Sequence, residues 1–173
     1  MKREVNIWDY AGHIMQNIGK GILLTTKADG QVNTMTIGWG QIGVIWSKPV
    51  FTVLVRESRY TKGLLDKTGE FTVNVPLAQV DKQILAVCGT KSGRDMDKIK
   101  ELGLTLADSE TVSVPGILEL PLTVECKVIY QQEQDPAAID PDCYKQFYAA
   151  GTHNEGDHHT VYYGQITGAY ILE

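Results

Sequence analysis

The residues best suited to ligand chemistry fall in a predicted strand between positions 33 and 39, where hydroxyl, amide and glycine residues alternate with apolar ones. Glycines in an extended segment let the backbone approach a ligand closely, and the hydroxyls add hydrogen-bonding groups. The candidate contacts are Asn33, Thr34, Met35, Thr36, Ile37 and Trp39. This pattern suits a flat ligand with polar edges. It also fits a half-exposed edge strand whose threonines face solvent.

A basic, hydroxyl-rich cluster follows the next apolar run of the chain. Arg56, Ser58, Arg59 and Thr61 lie where a strand meets the predicted start of a short helix, with Ser58 as the expected helix cap. Guanidinium and hydroxyl groups make charge-assisted hydrogen bonds, and a helix start favours an anion. The cluster therefore predicts a site for a terminal phosphate. The alternative is an ordinary capped turn with solvated arginines.

A third polar cluster runs from residue 88 to residue 98. Glycines flank the stretch that contains Lys91 and Ser92, so the backbone can form an anion-binding turn there. These two residues are predicted as further anion contacts. The spacing is not that of a nucleoside triphosphate loop. A polar loop that caps the following helix is the alternative interpretation.

The histidines near the end of the chain raise the question of a metal site. His153, His158 and His159 lie close in sequence to Asp157 and Cys143. Adjacent histidines in a strand point to opposite faces, and no metal-binding spacing is present, so no metal is expected. His159 is predicted instead as a single polar group facing a pocket. No catalytic residue is certain, which is typical of a protein whose cofactor carries the chemistry.

Length and charge restrict the classes of function. A chain of 173 residues suits a single domain spanning residues 1–173. The net charge of −5 disfavours nucleic acid as a partner. The chain contains no run of about 18 apolar residues, so no membrane span is predicted. Three widely spaced cysteines and the lack of an apolar leader predict a cytoplasmic protein with reduced thiols.

Strand signals dominate the chain. An Asp29-Gly30 pair between two β-branched runs predicts a hairpin. In the predicted strand 122–130, Val124 and its alternate neighbours form an apolar face, and Glu125 lies on the opposite face. Short helices are predicted over 61–65, ended by Gly69, over 77–87 and over 94–102. The acidic segment 131–157 is interpreted either as a long excursion that carries a short helix near Tyr144 to Ala150 or as a partly mobile flap. The pattern predicts a mainly β protein with short helices, arranged as an antiparallel barrel.

Taken together, these clusters resemble the flavin reductase-like, FMN-binding split-barrel family, and within it the flavoredoxin-like branch. The resemblance covers about Ile18 to Leu172. It rests on the order and spacing of loose motifs at residues 33–39, 46–55, 58–61, 69–76, 89–98 and 159–166. Gln165 departs from the acidic residue common in the last motif, and residues 131–157 are longer than a minimal member requires. These departures affect the prediction of the second substrate more than the prediction that a flavin binds.

The resemblance implies a six-stranded antiparallel split barrel of Greek-key type. It also implies a homodimer with FMN at the interface and an oxidoreductase function. Residues of the 33–39 strand would line the isoalloxazine ring and the ribityl chain. The Arg56–Thr61 cluster would hold the phosphate, with Lys91 and Ser92 as extra contacts, and His159 would lie near the ring.

The electron donor would be NAD(P)H or a redox protein, and the acceptor a second flavin, a small molecule or a redox partner. Two alternatives stay open: an FMN electron-transfer protein without a nicotinamide site, and a non-catalytic flavin- or haem-binding module.

Overall fold

Antiparallel β-strands make up the larger part of the regular secondary structure in the computed structural model, which describes residues 1–173. The strands are β1 (Lys2–Glu4), β2 (Ile22–Ala28), β3 (Gln31–Ile37), β4 (Gly40–Ile45), β5 (Lys48–Arg56), β6 (Glu70–Val75), β7 (Leu106–Ala107), β8 (Gly116–Ile117), β9 (Leu122–Glu133) and β10 (His159–Leu172). The helices are α1 (Ala11–Ile18), α2 (Tyr60–Thr68), α3 (Lys82–Thr90), α4 (Lys98–Glu101) and α5 (Pro141–Phe147). Two short 3₁₀ turns span Ile7–Tyr10 and Pro136–Ala138.

The main sheet contains eight strands in the order β3-β2-β6-β9-β10-β5-β4, with β1 pairing to β10. All of its pairings are antiparallel. The predicted mainly β class is confirmed, but the strand number is eight and not six, and β3 does not pair with β4 to close the sheet. Neither β1, a short exposed strand at the start of the chain, nor β4, which pairs with β5, was predicted from the sequence.

Two tight turns shape the sheet. The predicted Asp29-Gly30 hairpin is confirmed: both residues have positive φ, 51° and 76°, as the two-residue hairpin turn requires. A second hairpin joins β4 to β5 through Trp46 and Ser47, which also have positive φ, 50° and 57°. Left-handed backbone is uncommon for a bulky residue such as tryptophan. This turn places β4 beside β5.

The helix α2 is longer than the one predicted over 61–65, whereas the helices predicted over 77–87 and 94–102 are shorter in the structure. Gly69 ends α2 in left-handed conformation, as expected. The predicted cap Ser58 is wrong, because Arg59 holds the cap position without a side-chain bond and the Ser58 hydroxyl binds Asp157. The helix expected over 77–87 begins only at Lys82, and the one expected over 94–102 is the four-residue α4.

The hydrophobic core lies along one face of the central strands. Val124 and Cys126 of β9 are fully buried in it, as the alternation predicted. The opposite face of β9 is buried too, since Thr123 and Glu125 have no exposed surface. That face is covered by the segment that precedes β9. None of the helices combines the length and the apolar character needed to cross a membrane.

Candidate functional site

Two adjoining cavities lie along β3 and share Met35 and Arg59 as lining residues. We call the first, of about 170 Å³, the anion cavity and the second, of about 190 Å³, the aromatic cavity. The anion cavity is lined by Asn33, Met35, Ser58, Arg59, Tyr60, Thr61, Thr90, Lys91, Ser92, Gly93, Arg94 and Lys98. The aromatic cavity is lined by Met35, Thr36, Ile37, Gly38, Trp39, Leu54, Arg56, Arg59, His153, Asn154 and His159.

The structure brings nearly all of the sequence-predicted site residues to these two cavities. The exception is Thr34, which lines neither cavity. Its buried hydroxyl donates to the carbonyl of Leu24 and accepts from Thr25. Thr34 therefore stabilises the β2–β3 pair internally.

The side chains of β3 connect the strand to the helices around the cavities. The Asn33 amide donates to the Thr61 hydroxyl of α2 at 2.7 Å, and the Thr36 hydroxyl donates to the Leu85 carbonyl of α3 at 2.7 Å. These polar groups are therefore engaged within the protein. Because β3 pairs only with β2, alternate backbone N–H and C=O groups along its other edge have no strand partner. The backbone of β3, more than its hydroxyls, is available to a ligand.

The anion cavity is lined by four cationic side chains without a carboxylate partner, of which Lys98 is buried and Arg59 is half-buried. Lys98 is only 4% exposed, and its ammonium group donates to the carbonyls of Lys91 at 3.2 Å and Cys88 at 3.5 Å. Arg59 donates from Nη1 to the Gly89 carbonyl, and its buried Nε has no partner. Neither side chain takes part in an ion pair.

Burial destabilises both of these charges. It lowers the pKa of Arg59, with a further lowering from the neighbouring charge of Arg56. Burial likewise lowers the pKa of Lys98. A cation that has lost part of its hydration and has no counterion is stabilised when an anion binds beside it. The donor set therefore fits a phosphate group.

Gly93 forms part of the wall of the anion cavity. A Cβ atom at this position would lie 2.3 Å from Oδ1 of Asn33 and 2.5 Å from Cδ1 of Tyr60, distances that real Cβ atoms do not show. Beside it, Arg94 donates to the Ser58 carbonyl at 3.0 Å and lies over the Tyr60 ring. The turn can pack against β3 and α2 only because residue 93 has no side chain.

Two of the four residues predicted to hold a phosphate contact a carboxylate of the chain itself. Asp157 accepts from the backbone N–H and the hydroxyl of Ser58, at 3.0 and 2.5 Å, and pairs with Arg56 at 3.4 Å. Sequence reasoning missed this contact. The signal for it was the acidic composition of residues 131–157. Of the cavity cations without an internal anion, Arg59 and Lys98 are the two least exposed.

The aromatic cavity is bordered by rings from three parts of the chain. Trp39 packs edge-on against Phe147 and tilts against His159, with ring centroids 5.1 and 4.9 Å apart. His153 and Asn154 complete the lining and were not singled out as cavity residues from the sequence. Burial, and then the charge of Arg56, lower the pKa of His159 to about 4, so its imidazole is neutral at pH 7.

The histidine, cysteine and acidic residues of this region do not form a ligand set. No three side chains of these types lie close enough together to hold a metal ion.

The structure is thus a mainly antiparallel β protein in which a cavity lined by cationic side chains adjoins a cavity bordered by flat rings. The chain belongs to the family described as "Flavin reductase like domain", which matches residues 15–173. This confirms the resemblance inferred from the motifs.

Solved structures and a curated relative agree with this assignment. The flavoredoxin of Desulfovibrio vulgaris (Miyazaki F) is 25% identical, with a TM-score of 0.67 over 88% of this chain and 69% of that one. Flavoredoxin from Methanosarcina acetivorans is 26% identical, with a TM-score of 0.66 over 88% of this chain and 68% of that one. An uncharacterized protein of Archaeoglobus fulgidus is 37% identical over 101 residues, which make up 58% of this chain and 56% of that protein. The match thus spans less than two thirds of that relative.

Proposed function

We propose that the chain binds FMN in the two adjoining cavities and acts as an oxidoreductase of the flavin reductase or flavoredoxin type. The observation that carries this proposal is a buried cation, Lys98, and a half-buried one, Arg59, neither with a counterion, directly beside a cavity bordered by flat rings. The similarity to flavoredoxins supports it. FMN, when bound, supplies hydride and electron transfer between a donor and an acceptor.

The residues of the chain bind and orient such a ligand. Arg59 and Lys98 bind the phosphate dianion, with Lys91, Ser92 and Thr61 at the border of the same cavity. The free edge of β3 offers backbone groups to the polar edge of the ring. The flat face of Trp39 packs against the ring and excludes water from it, and His159 borders the same cavity. Ordinary acid–base catalysis by the protein is not required.

A second protomer completes the site in this proposal. Trp39 borders the aromatic cavity and is 37% exposed, so one side of the cavity is open in the single chain. Another exposed aromatic group, Trp46 at 63%, packs edge-on against Tyr130 and Tyr163 on the outer side of the sheet. A homodimer that places FMN at its interface would cover such surfaces, because large exposed aromatic groups commonly lie in contacts between proteins.

The first test is a comparison of FMN with riboflavin, which has the same ring and no phosphate. We expect one FMN per chain, and an affinity about 100-fold higher than for riboflavin, because a buried charge pair contributes about 2–5 kcal/mol. Fluorescence titration of the ligand-free protein measures both constants. Equal affinities would show that the anion cavity does not bind the phosphate. A protein that stays colourless after incubation with FMN would favour a non-flavin binding module.

A second test separates the reductase from the electron-transfer protein. The donor proposed for the reductase is NAD(P)H. We therefore expect rapid anaerobic mixing of the FMN-loaded protein with NADH or NADPH to bleach the blue absorption band of the flavin. Bleaching by neither nucleotide would eliminate the reductase version, and a redox protein would then be the donor.

A further inference from the structure

A hydrogen-bonded chain of three residues ends at the aromatic cavity. The side-chain oxygen of Gln134, at the end of β9, accepts from the backbone N–H of His159 at 3.0 Å and from the Tyr148 hydroxyl at 3.0 Å. The Tyr148 hydroxyl also lies 2.7 Å from Nδ1 of His159. Tyr148 and His159 are both buried, at 4% and 7% exposure.

This chain determines where the imidazole proton lies. A backbone N–H can only donate, so the Gln134 atom that faces it is the oxygen. The Tyr148 hydroxyl has one proton. If it donated that proton to Nδ1, its oxygen would lie 3.0 Å from the Gln134 oxygen with no proton between them, so we infer that it donates to Gln134. The hydroxyl oxygen must then accept from Nδ1–H of His159, because otherwise two lone pairs would face each other. The neutral ring is therefore protonated on Nδ1.

The other ring nitrogen, Nε2, is left as a hydrogen-bond acceptor. It has no partner within the chain, and it is not sealed from solvent, unlike the buried and unpaired Nε2 of His158. His159 lines the aromatic cavity together with Arg56 and Arg59, whose guanidinium groups are donors. His159 thus presents an accepting nitrogen in a cavity where the charged groups can only donate.

We propose that Gln134 and Tyr148 are positioning residues that hold His159 in the Nδ1–H tautomer, so that Nε2 accepts a hydrogen bond from a ring N–H of the bound flavin. The ligand half of this statement rests on the proposed function. The low pKa of His159, about 4, supports it, because the imidazole stays neutral across the physiological range. A flavin ring has an N–H group in the oxidised form and gains another on reduction, so a fixed acceptor distinguishes it from flat ligands that only accept.

The tautomer is tested directly on the ligand-free protein. Nitrogen-15 NMR of histidine-labelled protein, with the His159 signals assigned by their loss in His159→Gln, should show Nδ1 protonated and Nε2 unprotonated. In Tyr148→Phe the Nδ1–H group loses its acceptor, and the signals should move to a mixture of tautomers. Tyr144→Phe is the matched control, since Tyr144 lies one turn away in α5 and its hydroxyl makes no hydrogen bond in the structure. Protonated Nε2 in the wild type, or unchanged signals in Tyr148→Phe, would overturn the proposal.

The ligand half is tested by titrating oxidised and reduced FMN into the same variants. Tyr148→Phe should weaken binding of at least one redox form about 3- to 10-fold, the size expected for one hydrogen bond, and Tyr144→Phe should not. Wild-type affinity of Tyr148→Phe for both forms would contradict the contact. Failure of the wild type to bind FMN at all would overturn the proposed function and this contact with it, whereas the NMR result would still decide the tautomer.

Discussion

Replacing Arg59 with methionine should weaken FMN binding about 100-fold and leave riboflavin binding within about twofold of the wild type. Arg59 lines both cavities, has no counterion, and contains a buried Nε without a partner. Methionine preserves much of the side-chain volume but removes the charge and the donors. Because riboflavin lacks the phosphate, only the FMN affinity should change. Fluorescence titration of each ligand into each variant completes the thermodynamic cycle.

The control for this prediction is Arg3→Met, the same substitution at an exposed site where the guanidinium pairs with Glu173. Its affinities for both ligands should equal those of the wild type. Arg59 also donates to the Gly89 carbonyl, so a thermal melt of the variant is needed to show that the turn stays folded. An equal loss of FMN and riboflavin affinity would mean that Arg59 supports the cavity walls and does not bind the phosphate.

The tight turns show what local sequence determines and what it does not. The Asp29-Gly30 hairpin was predictable because both residues tolerate left-handed backbone. The Trp46-Ser47 hairpin was not, because neither residue is typical of the two left-handed positions that it occupies. Trp46 packs against Tyr130 and Tyr163 from β9 and β10, so partners distant in sequence accompany this turn. Because this turn joins β4 to β5, neither β4 nor the eight-stranded sheet can be predicted from the sequence unless the turn is identified.

The candidate site shows the same division between local and distant signals. Residues such as Arg59 and Lys91 were identified because cations, hydroxyls and glycines cluster within short stretches. Lys98 ended the same polar stretch but was not predicted as an anion contact, since burial of a lysine among backbone carbonyls depends on how α4 packs against the 88–93 turn. The contact of Asp157 with Ser58 joins residues 99 positions apart. No local pattern reports such a pairing.

Glu125 shows where strand alternation misleads, and it carries the largest expected effect on stability. Its fully buried carboxylate accepts from the backbone N–H groups of Glu110 at 2.8 Å and Thr111 at 2.7 Å, and from the Thr111 hydroxyl at 2.5 Å. Glu125→Gln should lower the free energy of unfolding by about 3 kcal/mol, because one buried donor would face the new amide NH₂. For a chain of this size, the melting temperature should fall by about 6–12 °C.

The pH dependence of this stabilisation follows from the direction of the pKa shift. Burial by itself would raise the pKa of Glu125, but the hydrogen bonds from Thr111 and Glu110 together lower it below its usual range. The charged Glu125 carboxylate therefore stabilises the folded protein at pH values above the unfolded-state pKa. This stabilisation is lost as the pH falls through the folded-state pKa. The stability difference between wild type and Glu125→Gln should be full at pH 7 and should shrink in acid. Glu110→Gln is the control, because its exposed side chain only pairs with Lys2. A difference that stays constant down to pH 3 would contradict a charged, hydrogen-bonded Glu125.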